Sequence, residues 1–374
     1  MLFYLPFLLL FYIALTGILY FYWIKIPVFK SSTEKVAFTQ LSVLIAVRNE
    51  ADTIALLLKD LEKQSYSNSH FEVLVLDDHS EDATFQIVQN FMEKTTLHLR
   101  LLKMQDGVFG KKNAISEGVK NAVGMLIVTT DGDCRVGTRW LESIEYFHKK
   151  GNVKMITGGV AFLKGNTLRE KILQIEFASL IGSGAASLAM GYPNMCNGAN
   201  LAYEKEAFLE VGGYGNADKL ASGDDEFLMH KIYRKYPGQV AFLKNKEAVV
   251  ETQAPSSWKA FFNQRVRWAS KWESYTYWHI KLLAFLIFGS NLALILNFVV
   301  SPMESYPLFL FLAFLMLKFL IEFLFLRSVL VYFGRKLNLM AFLVTEMLYP
   351  FYVVLFALLG RTGKYRWKDR EISS

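Results

Sequence analysis

Residues 129–136 read TTDGDCRV, and the apolar run Met125–Val128 stands just before the two aspartates. Asp131 and Asp133 are separated by Gly132 alone. Carboxylates so close repel each other, so the pair reads as a turn, for which Asp and Gly are suited, or as ligands for a hard divalent cation. Mg²⁺ commonly takes one or two protein carboxylates and completes its shell with substrate phosphates. Gly132 would relieve backbone crowding between them. Further clusters occur upstream: Arg48-Asn49-Glu50, Asp77-Asp78-His79-Ser80, and GVFGKKNA (Gly107–Ala114) with Lys111 and Lys112. Their acids can accept hydrogen bonds from a nucleobase or ribose, and this company favours a metal and nucleotide site over a turn.

Two clusters follow downstream. Residues 222–228 read SGDDEFL. Asp224, Asp225 and Glu226 either complement a helix dipole or include a general base whose pKa neighbouring anions raise. Residues 258–272 read WKAFFNQRVRWASKW. Helical spacing puts Gln264, Arg267 and Trp268 near one face. The segment fits an interfacial helix with tryptophans at headgroup level. An arginine and an amide there could also bind a departing pyrophosphate, while an indole stacks on a sugar or lipid headgroup.

Strands are expected at 41–47, 71–76, 97–104 and 125–130, and helices at 52–64, 82–94 and 111–122. This alternation predicts βαβ units and a parallel α/β sheet, whose ligands gather at the carboxyl ends of the strands. The acidic and basic clusters fall at those ends. Neither GxGxxG after the first strand nor a Walker lysine loop is present, which argues against a dinucleotide enzyme or a P-loop NTPase.

The chain has 374 residues, 53% hydrophobic, and a net charge of +7. Four apolar stretches, 2–24, 282–300, 307–326 and 338–360, approach or exceed the roughly 20 residues that cross a bilayer. The first is expected to be a retained anchor, followed by Lys25, Lys30 and Lys35 on its cytoplasmic side. In the third, Lys318 and Glu322 are spaced to pair on one face. Glu346 and Pro350 in the fourth favour a broken or re-entrant helix that keeps the basic tail inside. Residues 172–195 are rich in small side chains, which suits close helix packing or a place near an acceptor. The basic charge beside membrane segments fits anionic lipid better than nucleic acid. Two cysteines, Cys134 and Cys196, and six unpaired histidines indicate neither a disulfide framework nor a histidine-based metal site.

The order RNE, DDHSED, GKKNA, DGD, NGANLAYEKEAF, GDDEFL and QRVRW, over 41–272, resembles a membrane-bound, inverting family 2 glycosyltransferase with DxD and QxxRW motifs. The terminal RWKDR is also similar to that group. The resemblance implies a GT-A fold with a mostly parallel sheet flanked by N- and C-terminal transmembrane helices. It implies that Glu50, Asp77 and Asp78 line the base and ribose pocket, that Lys111 reaches the nucleotide side of the donor, and that Asp131 contacts the nucleoside. Asp133, with Asp131, would bind Mn²⁺ or Mg²⁺ at the diphosphate. Asp225 would be the general base, with Asp224 and Glu226 as competitors, since many members carry Glu-Asp at this pair. Gln264, Arg267 and Trp268 would hold the diphosphate and the acceptor end.

The expected organisation is an anchor at 1–25, a glycosyltransferase domain at 36–256, an amphipathic interfacial helix at 257–281, membrane helices at 282–360 and a basic cytoplasmic tail at 361–374. The expected activity is transfer of a sugar, of hexosyl or N-acetylhexosaminyl type, from a nucleotide sugar such as a UDP-sugar to a lipid, lipid-linked or saccharide acceptor. The expected location is the cytoplasmic face of a bacterial inner membrane. A processive polysaccharide synthase and a non-catalytic membrane subunit of the same fold are the alternatives.

Overall fold

The computed structural model describes residues 5–30, 38–215, 224–270, 277–300 and 308–359, and the backbone of 364–367 and 370–373. Lys35, Ser222, Gly223, Trp272, residues 301–307 and most of the basic tail lie outside the described residues, as does the side chain of Asp224. The chain begins with α1 (Leu5–Lys25), β1 (Leu41–Val47), α2 (Ile54–Glu62), β2 (Phe71–Asp77), α3 (Thr84–Met92), β3 (His98–Lys103), α4 (Lys111–Asn121) and β4 (Leu126–Asp131). Then come β5 (Arg135–Val136), α5 (Trp140–Gly151), β6 (Met155–Gly158), β7 (Val160–Phe162), α6 (Leu168–Ala189), β8 (Leu201–Glu204) and α7 (Lys205–Glu210). They are followed by α8 (Asp224–Lys235), β9 (Val240–Leu243), β10 (Val250–Thr252) and α9 (Trp258–Ala269). Helices α10 (Trp278–Val300), α11 (Leu308–Tyr332) and α12 (Leu339–Leu359) and the hairpin β11 (Lys364–Trp367) and β12 (Arg370–Ser373) complete it.

Two compact units result: a sheet unit, Pro27–Leu163 with Met195–Gln253, and a helical unit, Met1–Ile26 with Lys164–Asn194 and Ala254–Ser374. A seven-stranded sheet in the order β3-β2-β1-β4-β8-β6-β9 forms the first. Strands β3, β2, β1 and β4 are parallel, and β8 runs antiparallel to both β4 and β6. The runs LSVLIAV and FEVLVLD are apolar almost throughout because helices cover both faces of a parallel sheet, and all but one of their residues are buried. A smaller sheet, β5-β10-β7, carries the chain beyond the DGD turn. The sheet therefore delivers Asp77 and Asp131 at the carboxyl ends of β2 and β4, the two parallel strands that flank β1.

In the helical unit, α1 packs on α10 and α11, and α6 packs on α1, α11 and α12. Five helices are long and apolar enough to cross a membrane: α1, α6, α10, α11 and α12. Of these, α6 was not among the apolar stretches expected to span. It leaves from β7 and returns to β8, which pairs with β6. A single crossing would therefore put neighbouring strands of one sheet on opposite sides of a bilayer, so α6 cannot be one. Its small residues serve close packing, as one of the two readings of that segment held. A Cβ on Gly182 would meet Val329 at 2.6 Å and Phe325 at 3.1 Å on α11.

The expected break in the fourth apolar stretch is absent, because α12 runs unbroken through Pro350. Proline there removes only the bond to the Glu346 carbonyl, a loss that packed neighbours can absorb. Lys318 pairs with Glu322 as its spacing predicts, and also with Glu346 of α12. Tyr12 of α1 donates to Glu322 at 2.6 Å, so three helices share this buried cluster. Strand β11 lies beside α9.

Candidate active site

Two loops at the carboxyl ends of β1 and β2 are stitched to each other. Arg48 donates to the carbonyls of Asp78 at 3.0 Å and His79 at 2.5 Å, and pairs with Glu81 at 2.7 Å. Asn49 accepts from the Glu81 amide at 2.8 Å. Asp77 and Asp78 are buried. Asp78 accepts from the Gly110 amide at 2.9 Å and lies 3.2 Å from His79 Nδ1, so its position is set by the GKKNA loop. Asp77 Oδ2 accepts from Ser80 N at 3.3 Å, whereas buried Oδ1 has no partner among the described residues. A buried carboxylate oxygen without a donor is costly, and a ligand hydroxyl or imino group would satisfy it.

The DGD turn follows β4. Gly132 is required less for its backbone than for the room it leaves. A Cβ there would meet Val47 at 2.9 Å and Glu50 Cγ at 3.1 Å. Glu50 thus packs directly against the turn. Its carboxylate accepts from Thr53 Oγ1 at 3.0 Å. Lys111, the first residue of α4, donates to Asp131 at 2.5 Å. Burial works against the charge on Lys111, but Asp131 and then Asp225 outweigh it and hold this lysine above its ordinary range. It therefore remains an ammonium facing the acids.

Ligand atoms of Asp131, Asp133 and Cys134 lie within 4.8 Å of one another. Burial, with Asp131 and Asp133 behind it, pushes the Cys134 thiol well above its ordinary value. Its Sγ donates to Asp133 Oδ1 at 3.7 Å. That leaves two carboxylates, a hard donor set that suits Mg²⁺ or Mn²⁺ rather than zinc. Asp133 is steadied by Thr252 Oγ1 of β10 at 3.3 Å.

Asp225, in the first turn of α8, is the other acid near this edge. It sits over the NGAN turn: a Cβ on Gly198 would come within 1.9 Å of Asp225 Oδ2. The turn itself is pinned. Thr129 of β4 donates to the Gly198 carbonyl at 2.8 Å. Asn200 donates to the carbonyls of Gly159 at 2.9 Å and Ala248 at 2.8 Å, and accepts from the Trp140 indole at 3.0 Å. Burial, followed by Asp225, raises the Tyr203 phenol above its ordinary range. Of the competing acids, Glu226 is buried at 8% exposure while Asp225 is half-buried. In the sequence NGAN is an unbroken small, polar run before β8, which by itself marks neither Gly198 nor Asn200 for this task.

Within the sheet unit, then, the structure brings Glu50, Lys111, Asp131 and Asp133 together, with Asp77 and Asp78 on the adjoining loop and Asp225 within electrostatic reach of Lys111. Gln264, Arg267 and Trp268 belong to the helical unit. There they lie half-exposed on α9, whose N-terminus is capped by Ser257. The expected amphipathic segment is not one helix, since α9 ends at Ala269 and α10 begins at Trp278.

Residues 42–212 match the family described as Glycosyl transferase family 2. The chain is 26% identical over 261 residues to a poly-β-1,6-N-acetyl-D-glucosamine synthase of Staphylococcus epidermidis, covering 68% of this chain and 61% of that protein. It is 29% identical over 197 residues to the glycosyltransferase AglE of Haloferax volcanii, covering 49% of this chain and 58% of that one. The chain thus spans about three fifths of the length of these relatives. Among solved structures, the mannosyltransferase PcManGT from Pyrobaculum calidifontis, in complex with GDP-Man and Mn²⁺, superposes with a TM-score of 0.60 at 19% identity. That likeness covers 94% of this chain and 99% of PcManGT, and it establishes the fold.

Proposed function

Starting from a chain that carries a family 2 glycosyltransferase domain of GT-A fold, we propose that it transfers a sugar from a nucleotide sugar, a UDP-sugar in the first instance, to a lipid or lipid-linked saccharide. Transfer takes place at the cytoplasmic face of a membrane, with inversion at the anomeric carbon. The observation that carries this reading is one sheet edge where a buried aspartate with an unsatisfied oxygen, a hard carboxylate pair, an ammonium and a seated aspartate occur together. The long apolar helices at both ends of the chain support the membrane part.

In this reading Glu50, Asp77 and Asp78 receive the base and ribose, with Asp131 turned to the nucleoside and Lys111 to the nucleotide side of the donor. Asp133, with Asp131, would hold Mn²⁺ or Mg²⁺, which supplies charge neutralisation for the leaving nucleoside diphosphate. Arg267 and Gln264 take diphosphate oxygens, and Trp268 stacks on the acceptor. Asp225 accepts the proton of the acceptor hydroxyl as that oxygen attacks the anomeric carbon. A carbon–oxygen bond forms to the acceptor while the bond to the diphosphate oxygen breaks on the opposite face. One displacement inverts configuration and needs no enzyme nucleophile. Asp225 is preferred to Glu226 because it is seated on Gly198 beside Lys111, whereas Glu226 is buried.

Purified protein supplied with UDP-sugars, Mn²⁺ and membrane lipids should release UDP. Folded protein that releases no nucleoside diphosphate from any nucleotide sugar would overturn the proposal. A second reading, processive synthesis of a polysaccharide, draws on the similarity to poly-β-1,6-N-acetyl-D-glucosamine synthases. Product sizing separates the two: a polymer ladder supports the second, a single mass increment the first.

A further inference from the structure

Arg265 occupies one of the two variable positions of the QxxRW pattern. It is 3% exposed. Its guanidinium makes a two-pronged contact with Glu176 of α6, Nε to Oε1 at 2.8 Å and Nη2 to Oε2. A third donor, Nη1, goes to the side-chain oxygen of Gln264 at 2.9 Å. The guanidinium also lies 4.1 Å from the Trp268 ring centroid and 4.7 Å from that of Phe261. Glu176 is itself buried and accepts from Tyr352 of α12 at 3.0 Å.

We infer that Arg265, held by Glu176, is a positioning residue that orients Gln264 and Trp268 for glycosyl transfer; the inference rests on the function proposed above. Arginine has only donors, so the contact can be made only to the carbonyl oxygen of the Gln264 amide. That fixes the amide's orientation and leaves its NH₂ as the end available to an anionic ligand such as a diphosphate. The same side chain packs on the half-exposed Trp268 indole, limiting the angles at which that ring can meet a sugar. Stability alone is a weak reason for such a pair, because burying two charges offsets much of their attraction. A planar fork that grips one carboxylate, one amide and two rings is instead a means of fixing direction.

Lysine cannot replace it: an ammonium keeps the charge but loses the fork and the stacking plane. The test therefore uses Arg265→Lys as the variant expected to fold, and Glu176→Gln beside it, in the full chain reconstituted in lipid nanodiscs. For Arg265→Lys we expect wild-type thermal melting and Mn²⁺-dependent nucleotide binding that persists but weakens, since Gln264 loses its fixed approach to the diphosphate. Turnover per folded molecule should fall by about 10- to 10²-fold with acceptor KM raised, the loss typical of a catalytic group displaced by about 1 Å. Glu176→Gln should change turnover and acceptor KM in the same direction. Unchanged turnover per folded molecule in Arg265→Lys overturns the inference, as does loss of folded protein in both variants, which would make the pair structural. Wild-type protein in the same assay separates the two levels. If it transfers no sugar, the proposed function and the inference fall together; if it does and the variants match it, the inference alone fails.

Discussion

Gly198→Ala adds a single methyl beneath Asp225 without altering any ionisable group. Its Cβ would lie 1.9 Å from Asp225 Oδ2, 2.5 Å from Cγ and 2.7 Å from Oδ1. Ordinary contact begins at 3.4 Å, so the carboxylate must retreat by 3.4 − 1.9, about 1.5 Å. The turn cannot readily yield instead, because Thr129 holds the Gly198 carbonyl and Asn200 is tied to three partners. Displacing a catalytic group by about 1 Å can cost 10²-fold in rate, which is about 2.7 kcal/mol of barrier. Asp77, Asp78 and Asp133 stand on other loops, so donor affinity should stay at the wild-type level. The expected pattern is therefore a fall in kcat of about 10²-fold or more with unchanged Mn²⁺-dependent nucleotide binding and unchanged melting. Nucleoside diphosphate release measures the first, titration calorimetry the second. A folded Gly198→Ala protein with wild-type kcat would refute the assignment of Asp225 as the base.

Other perturbations probe the remaining parts. Asp133→Ala should abolish divalent-dependent nucleotide binding while leaving fold and membrane insertion intact, and chelator should inactivate the wild type until Mn²⁺ or Mg²⁺ is restored; calorimetry reads both. Asp225→Asn should leave nucleotide binding in place but lower kcat by about 10²- to 10⁴-fold, the span of general base catalysis. Burial, then Asp131 and Asp133, raise the Cys134 thiol, so at neutral pH it stays protonated and unreactive. Mass spectrometry after alkylation of native protein should find Cys196 modified and Cys134 unmodified until denaturant is added. Because β11 lies beside α9 within the helical unit, a cysteine at Ser373 in a Cys196→Ala background should react with an impermeant maleimide from the same side of the membrane as a cysteine at Lys259 of α9.

Strands β1 to β4 were legible because a parallel sheet buried on both faces demands continuous apolar runs, and these ended within a residue or so of the expected positions. The acids at their ends were legible for the same reason: each cluster punctuates such a run. What stayed hidden depends on contacts between distant segments. Glu346 is read as a membrane oddity until α11 brings Lys318 to it. Gly198 looks like any turn glycine until α8 lowers Asp225 onto it. Arg265 looks like a filler between Gln264 and Arg267 until α6 supplies Glu176. Helix α6 combines apolar length with small residues, so its composition fits a span while its connections to β7 and β8 rule out a crossing. The expected break at Pro350 failed because proline costs a helix one bond, not its continuation, where neighbours pack around it.

The most direct test of the account is the chemistry of its product. Wild-type protein, given an α-linked UDP-sugar, Mn²⁺ and membrane lipid, should yield a glycosylated product whose anomeric centre is β by proton NMR, with one equivalent of UDP released per sugar transferred. A product that retains the α configuration, or the absence of any transfer by folded protein across all nucleotide sugars, would contradict it.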